Sequence, residues 1–384
     1  MTLKATTENV VSLAATKLTG AIPALDGTAL TGIATGPTKS ANDPTISTNP
    51  SGVGVVWENT TTSNIYVCVD ATAGKNIWVN VGDGTDNISP YVFQGKIEGY
   101  VAGGQVVGSP AHNNIQKYSF SSNTGGNDLG NLTRVSYIVA GCSSDTYGYQ
   151  AGGLNVSTID KFQFATLNNA SSHGSLTAVR HSVCATNNGT HGFAAGGQSF
   201  QASIEKYAFA SNTTAAAHGN LTEASNARMG CSSETHGFAG GGYNNGLSPT
   251  FRTTIDKFAF ASNTTAAGHG NLATLRSNGS ATSSTTDGYM ASGANNGGDQ
   301  LVIEKVSFAS NTTASNHGNL TNARDGLASS SEMYNGYSAG GQKNSGPGNA
   351  ANNVIDKFVY ASTTTAVDHG DLAQGSFAAS GHHY

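Results

Sequence analysis

SIEKYAFASNTTAAAHGNL occupies residues 203–221, and TIDKFAFASNTTAAGHGNL occupies residues 254–272. Both stretches look polar and loop-like, yet the second is a near copy of the first, 51 residues on. A fixed period of roughly 20–50 residues marks stacked units rather than linkers. Weaker copies extend the series when the Lys after an acid or Gln is aligned: Lys117, Lys161, Lys206, Lys257, Lys305 and Lys357, with steps of 44, 45, 51, 48 and 52. Upstream of each Lys come a Gly-aromatic pair and then two small residues, as in GYVAGGQ at 99, GFAAGGQ at 192 and GYSAGGQ at 336. Downstream come His173, His218, His269, His317 and His369 in HGNL or a relative, with LGNL in the first copy. An Arg follows within seven residues of the repeat Leu in five copies: Arg134, Arg180, Arg228, Arg276 and Arg324.

Each unit reads as short strands. In IEKYAF, Ile204, Lys206 and Ala208 alternate with Glu205, Tyr207 and Phe209. Both sets carry apolar atoms, so the strand is expected between two neighbours. GFAAGG is a second strand and ARMGCSS at 227–233 a third. No helical periodicity runs through 93–384. The fold class is therefore all-β. Six units of three or four strands suit a six-bladed β-propeller, with 203–221 as one outer strand and turn of a blade. The Gly-Gly pairs are then expected near the axis, where side chains have no room.

The first unit begins at GYVAGG without the small-residue strand that precedes it elsewhere. LAQGSFAASGHHY at the C-terminus matches that strand. The C-terminal strand is predicted to pair into the unit holding 93–133, which joins the ends and covers a sheet edge.

Hydrophobic-Gly-Gly, a variable gap, Tyr before a turn, then Leu and Arg resembles the kelch repeat over about 290 residues. That resemblance implies a kelch-like propeller. Kelch units carry a Trp after the turn; here Trp57 and Trp78 lie outside the repeats, and the His of HGNL is expected in that role.

The N-terminal part reads differently. KLTGAIPALDGTALTGI at 17–33 has little to bury alone. GVGVVWENTTTSNIYVCVDATAGKNIWVNVGDG at 52–84 reads as three strands broken at NTTTSN and DATAGKN. The first stretch resembles attachment regions of bacteriophage tail-fibre and other virion proteins, and the second a small β module of phage structural proteins. The expected organisation is 1–36, an extended virion-attachment or oligomerisation segment; 37–90, a small β module; and 91–384, the propeller.

Composition excludes several functions. Charged residues are 11% and the net charge is −5, with no Lys/Arg cluster, so no nucleic-acid footprint is expected. No apolar run approaches the roughly 20 residues of a membrane span. Cys142, Cys184 and Cys231 fall on one strand of successive units, so they are expected as reduced core residues, and Cys68 has no evident partner. One His per unit spreads imidazoles around a ring, whereas metal ligands must converge on one ion. SNTT matches a glycosylation acceptor but is a repeat turn. Each Lys and its neighbouring acid face opposite ways, so unit-to-unit bonding is expected of them. The repeated Arg has two open roles: lining a channel or bonding carbonyls. No paired carboxylates, G-x-S-x-G or H-E-x-x-H stand out from the repeat, so no catalytic residue, metal site or cofactor is expected.

What varies is the loop between Gly-Gly and Ile, with 10, 5, 6, 12, 9 and 13 residues in the six units. All six loops leave the same strand end and should crowd one face, where recognition is commonly carried. The contact candidates are Phe200, Tyr243, Phe251, Arg252, Asp299 and Lys343. The resemblance implies a non-enzymatic virion protein assembled in the host cytoplasm, a tail fibre or adhesin. Its expected partners are other virion proteins through 1–36 and a host cell-surface glycan or protein. A homotrimer is the habit of such fibres, though no heptad repeat supports one. A head-decorating or purely structural virion fibre and a cellular propeller lectin or scaffold are the alternatives.

Overall fold

A computed structural model describes residues 36–81, 88, 92–106, 108–166, 168–343 and 352–384. The chain divides into two compact units, 1–90 and 91–384. Of the 1–36 attachment segment, 1–35 lie outside the described residues, as do 344–351 of the sixth variable loop.

The described part of the first unit is a four-stranded sheet of Thr38–Ser40, Val56–Asn59, Ile65–Asp70 and Ile77–Asn80, in chain order. It has one strand more than the sequence suggests: Thr38–Ser40 pairs parallel to Val56–Asn59. Tyr66, Cys68 and Trp78 are its buried centre, and Trp57 meets Trp78 edge-on at 6.0 Å.

The second unit is all-β among its described residues, with six four-stranded antiparallel sheets. Sheet I contains Glu98–Gln105, Ala111–Ser119 and Asn127–Asn131, and its first strand comes from the far end of the chain, Ser380–His383. His382 pairs with Tyr100 and Ser380 with Ala102. Sheets II to VI begin with Ala140–Ser143, Cys184–Asn187, Met229–Ser232, Ser280–Ser283 and Ala328–Ser331. These six inner strands pack on one another in cyclic order, II to VI and then through sheet I back to II.

Two sets of hydrogen bonds close the same cycle. Just before each inner strand stands Ile138, Ser182, Ala227, Asn278, Gly326 or Ala378. Each donates its N–H to the carbonyl of the preceding member, at 2.7–3.1 Å, and Ile138 donates to Ala378. All six have φ between 51° and 66°, the left-handed region, although only one is glycine. At the other end of the inner strands, Ser232, Ser283, Ser331 and Ser143 accept on Oγ and His383 on Nδ1 from the neighbour's N–H. Asn187 completes this set by donating Nδ2–H to the Ser143 carbonyl.

The repeated phrase 203–221 forms two strands, not one: Ser203–Ala208 is third in sheet III and Ala216–Asn220 is outermost. Most of its recurring letters are contacts between sheets; the Lys departs from the expected unit-to-unit bonding where Lys117 pairs with Glu98 and Lys305 with Asp287 inside their own sheets. The Gly-aromatic ring of one sheet stacks on the second aromatic of the next: Tyr149 on Phe209 at 4.3 Å, Phe193 on Phe260 at 4.7 Å, and finally Tyr337 on Phe120 at 4.6 Å. The His of HGNL donates Nε2–H to a carbonyl of the next sheet, as His218 does to Ala259 at 2.9 Å. Those partners hold the proton on Nε2. Leu129 takes the His position in sheet I. The Gly after each His has positive φ, and at Gly219 an added Cβ would lie 2.3 Å from the Thr264 carbonyl of the next sheet.

The acid before each Lys is buried and accepts from the sheet before it. Asp356 takes the N–H and hydroxyl of Thr321 and pairs with Arg324 at 2.8 Å. Asp160, Glu205, Asp256 and Glu304 pair likewise with Arg134, Arg180, Arg228 and Arg276. The Arg stands two, four or seven residues after the repeat Leu, yet its guanidinium reaches the same acid each time. It also donates to carbonyls, as Arg324 does to Ser338. Of the two roles left open, the guanidinium therefore takes the carbonyls and adds an acid. At the I–VI junction Gln116 stands in for the acid: the Gln374 backbone N–H donates to its Oε1, and its Nε2 donates to the Gln374 carbonyl.

The core is accordingly distributed between neighbouring sheets. One cluster joins Cys184, Phe193, Ile204 and Leu221 of sheet III to Ala239, Phe258 and Phe260 of sheet IV. The Gly-Gly expectation needs correction. These glycines end the second strands and are crowded by the chain entering the next inner strand: at Gly152 a Cβ would lie 2.2 Å from the Arg180 carbonyl. The residues that crowd the axis belong to the inner strands. Gly141, Ala185, Gly230, Ala281, Ser329 and Gly381 line a cavity of about 90 Å³ there.

Candidate functional site

Antiparallel order puts the variable loops and the chain entering each inner strand at the same end of the sheets. Backbone bonds tie the two together. The residue after Gly-Gly meets the residue before the left-handed position: Tyr243 exchanges both N–H···O bonds with Asn226, and Gln342 with Asp325. Gln198 donates to His181 and Leu154 to Tyr137, while Ala294 bridges Ser277 and Gln105 bridges Phe377. One ring of positions thus holds Tyr137, His181, Asn226, Ser277, Asp325 and Phe377, six different side chains at six equivalent places. Next to it, Asn278 Nδ2 donates to Asp325 Oδ2 at 2.9 Å, and His181 Nδ1 meets Ser182 Oγ at 2.9 Å.

The longest fully described loop, 243–254, is a small rigid hairpin. Tyr243 bridges Phe251, Asn244 N–H donates to Thr250, and Arg252 N–H donates to Gly242. Arg252 is not available to a ligand. Its Nε and Nη2 donate to both oxygens of Glu223 at 2.7 and 2.9 Å, and Nη1 donates to the Pro249 carbonyl. Thr254 adds a hydroxyl to Glu223 at 3.0 Å. These donors hold the Glu223 carboxyl below the ordinary glutamate range, with the Arg252 hydrogen bond the leading cause. The pair is a brace for the hairpin base.

Phe200, Tyr243 and Phe251 do come together. Phe200 of the sheet III loop lies 6.1 Å from Tyr243 of the sheet IV loop, and Tyr243 lies 5.2 Å from Phe251, edge to face. All three are half-buried. Phe200 and Ser199 before it both have positive φ, 52° and 63°. Two consecutive non-glycine residues in that region store strain, on the order of 1–3 kcal/mol each. Asp299 belongs elsewhere, on a two-stranded hairpin of Ala294–Asn295 and Gly298–Asp299 in the sheet V loop. Lys343 is exposed beside the undescribed 344–351. The structure therefore unites three of the six candidates, assigns Arg252 to the scaffold and leaves Asp299 and Lys343 apart.

Sequence reasoning misses Glu223, Asn226 and the ring of positions before the inner strands. Their signal is a single non-repeating column inside a repeated segment. The repeated polar residues, by contrast, are consumed by the sheet contacts. Burial pushes the Cys142 thiol up to about 12 and Cys184 to about 11, so neither is a thiolate at neutral pH. All four cysteines are free and buried. Cys184 opens its strand whereas Cys142 and Cys231 stand third in theirs, so the three are not at one equivalent position. Among the described residues no group of three His, Cys, Asp or Glu side chains is arranged to hold a metal.

No family model and no curated protein matches this chain. Among solved structures, that of YjhT is similar in fold, with a TM-score of 0.55 and 12% sequence identity. The match covers 66% of this chain and 89% of the YjhT chain.

Proposed function

We propose that the six sheets are the blades of a kelch-like six-bladed β-propeller, and that the chain is a non-enzymatic bacteriophage virion protein, a tail fibre or adhesin, binding a host surface receptor through its loop face. The cyclic hydrogen bonds and the likeness in fold to YjhT support the propeller reading. The receptor reading is carried by one observation. The variable loops emerge together from a rigid frame, and at the III–IV junction they hold a half-buried aromatic row that no sheet contact requires. The phage-like patterns at 17–33 and 52–84 support the virion. In this reading residues 1–36 attach the protein to other virion proteins, in a homotrimer, and the ligand on the host is a glycan.

The test uses the purified full chain. Labelled protein is incubated with a panel of bacterial cells, and bound protein is counted by flow cytometry. Saturable binding to some strains and not others is expected. Absence of binding to every strain at high protein concentration rejects the receptor role and favours a head-decorating or purely structural fibre. Removal of 1–36 is expected to abolish incorporation into particles.

A further inference from the structure

Resting on the receptor reading, we infer that the III–IV aromatic row binds an uncharged saccharide, stacking its apolar ring faces on Phe200, Tyr243 and Phe251. Three observations converge. The first is charge. The cations and anions at this junction are already paired: Arg252 with Glu223 and Arg228 with Asp256. An acidic sugar bound here would have to draw Arg252 away, which would leave Glu223 unpaired. What remains exposed around the row is uncharged: Gln198, Ser199, Asn245 and Ser248 offer hydrogen bonds, and Leu247 and Pro249 are apolar.

The second is strain. Phe200 is held in the left-handed region behind a strained Ser199 and laid against Tyr243 of the neighbouring sheet. Such outliers persist where the surroundings over-determine them and commonly mark ligand clamps. No sheet contact accounts for this one. Tyr243, half-buried, carries a phenolic hydroxyl that can donate to a sugar oxygen.

The third is preorganisation. The hairpin carrying Tyr243 and Phe251 is fixed by its own ladder and by the Glu223 brace, so little ordering entropy opposes binding. Aromatic faces present large contact area with few rotatable bonds.

The experiment applies the full chain to an array of neutral oligosaccharides (hexoses and N-acetylhexosamines) and acidic ones bearing uronic acid, sialic acid or phosphate. Expected is binding to a neutral group that survives high salt and falls at least tenfold in both Phe200→Ala and Tyr243→Ala. Phe251→Ala serves as the second variant if Tyr243→Ala unfolds, as judged by circular dichroism. Binding confined to acidic glycans, or neutral binding unchanged in folded variants, overturns the inference and leaves the receptor role standing. Binding to bacterial cells without binding to any glycan on the array does the same. Absence of binding to both cells and glycans overturns inference and receptor role together.

Discussion

The backbone N–H of Ile138 donates to the carbonyl of Ala378 at 2.7 Å, joining residues 240 positions apart. It is the bond that turns five sequential contacts into a cycle. Every sheet then has a neighbour on both sides.

Truncation after Ala379 should therefore unfold the whole second unit rather than fray one end. The missing strand, Ser380–His383, pairs with Glu98–Gln105 of sheet I and buries Ser380, His382 and His383. At about 1 kcal/mol per net hydrogen bond plus the buried side chains, the loss is on the order of 5 kcal/mol or more. That rivals the whole margin of an ordinary domain. Thermal denaturation should show a single transition lost or lowered throughout; an unchanged midpoint would refute the closing role.

Arg324→Ala should be far more damaging than Arg134→Ala. Arg324 and Asp356 are fully buried, and burial raises the Asp356 carboxyl above its ordinary range, so loss of the cation strands a charge. The expected cost is about 3–5 kcal/mol. Arg134 is partly exposed and 3.4 Å from the buried Asp160, so water can enter in its place and its removal should cost less, roughly 1–2 kcal/mol. Urea denaturation of the two variants gives the comparison directly.

Within HGNL the glycine should matter more than the histidine. His218→Leu copies what Leu129 already does in sheet I and loses one hydrogen bond, about 1 kcal/mol. Gly219→Ala places a Cβ 2.3 Å from the Thr264 carbonyl at φ 115° and should cost several times that, about 3 kcal/mol. Equal effects in denaturant titrations would show that the sheets can slide apart to make room.

The left-handed ring allows a change in the stabilising direction. Ala227 sits at φ 51° with its N–H and carbonyl both bonded. Ala227→Gly relieves about 1–2 kcal/mol of strain against up to about 1 kcal/mol of added chain entropy. A gain of about 0.5–1 kcal/mol is expected, read as a raised melting temperature.

Acid should weaken the fold through His383. Its Nε2–H donates to the Phe93 carbonyl at 2.5 Å and its Nδ1 accepts from Ser331, so both nitrogens are committed to the neutral ring. Burial pushes its pKa down to about 4, and that of His382 to about 3. Below the ordinary value of about 6.5 the unfolded chain binds these protons first. Stability is thus full above about pH 6.5 and falls as pH drops toward about 4, with His383 alone worth on the order of 3 kcal/mol over that span. His383→Gln should flatten the profile across that window, measured by denaturant midpoints at each pH.

Much of the fold is written in the chain because one interface is solved six times. A contact that each sheet makes with the next must recur as a letter in each repeat, which is why His218, Gly219, Glu205 and the paired aromatics stand out in the sequence. The C-terminal strand is legible for the same reason, as a repeat piece found out of place. Arg228 is harder to place, since a flexible side chain reaches its acid from more than one offset. The left-handed ring leaves no trace in the letters: Ile138, Ser182, Ala227, Asn278, Gly326 and Ala378 share a backbone conformation and no side-chain chemistry.

The candidate site divides along the same line. Sequence alone determined the repeat, the strand character and the loops in which unrepeated aromatics lie, because local patterning and period are properties of the chain. Only the tertiary structure decided that Phe200 and Tyr243 meet across two sheets, that Arg252 is spent on Glu223, and that Asp299 stands apart. Those outcomes depend on which loops the closed cycle sets side by side, and no periodicity encodes a contact that occurs once.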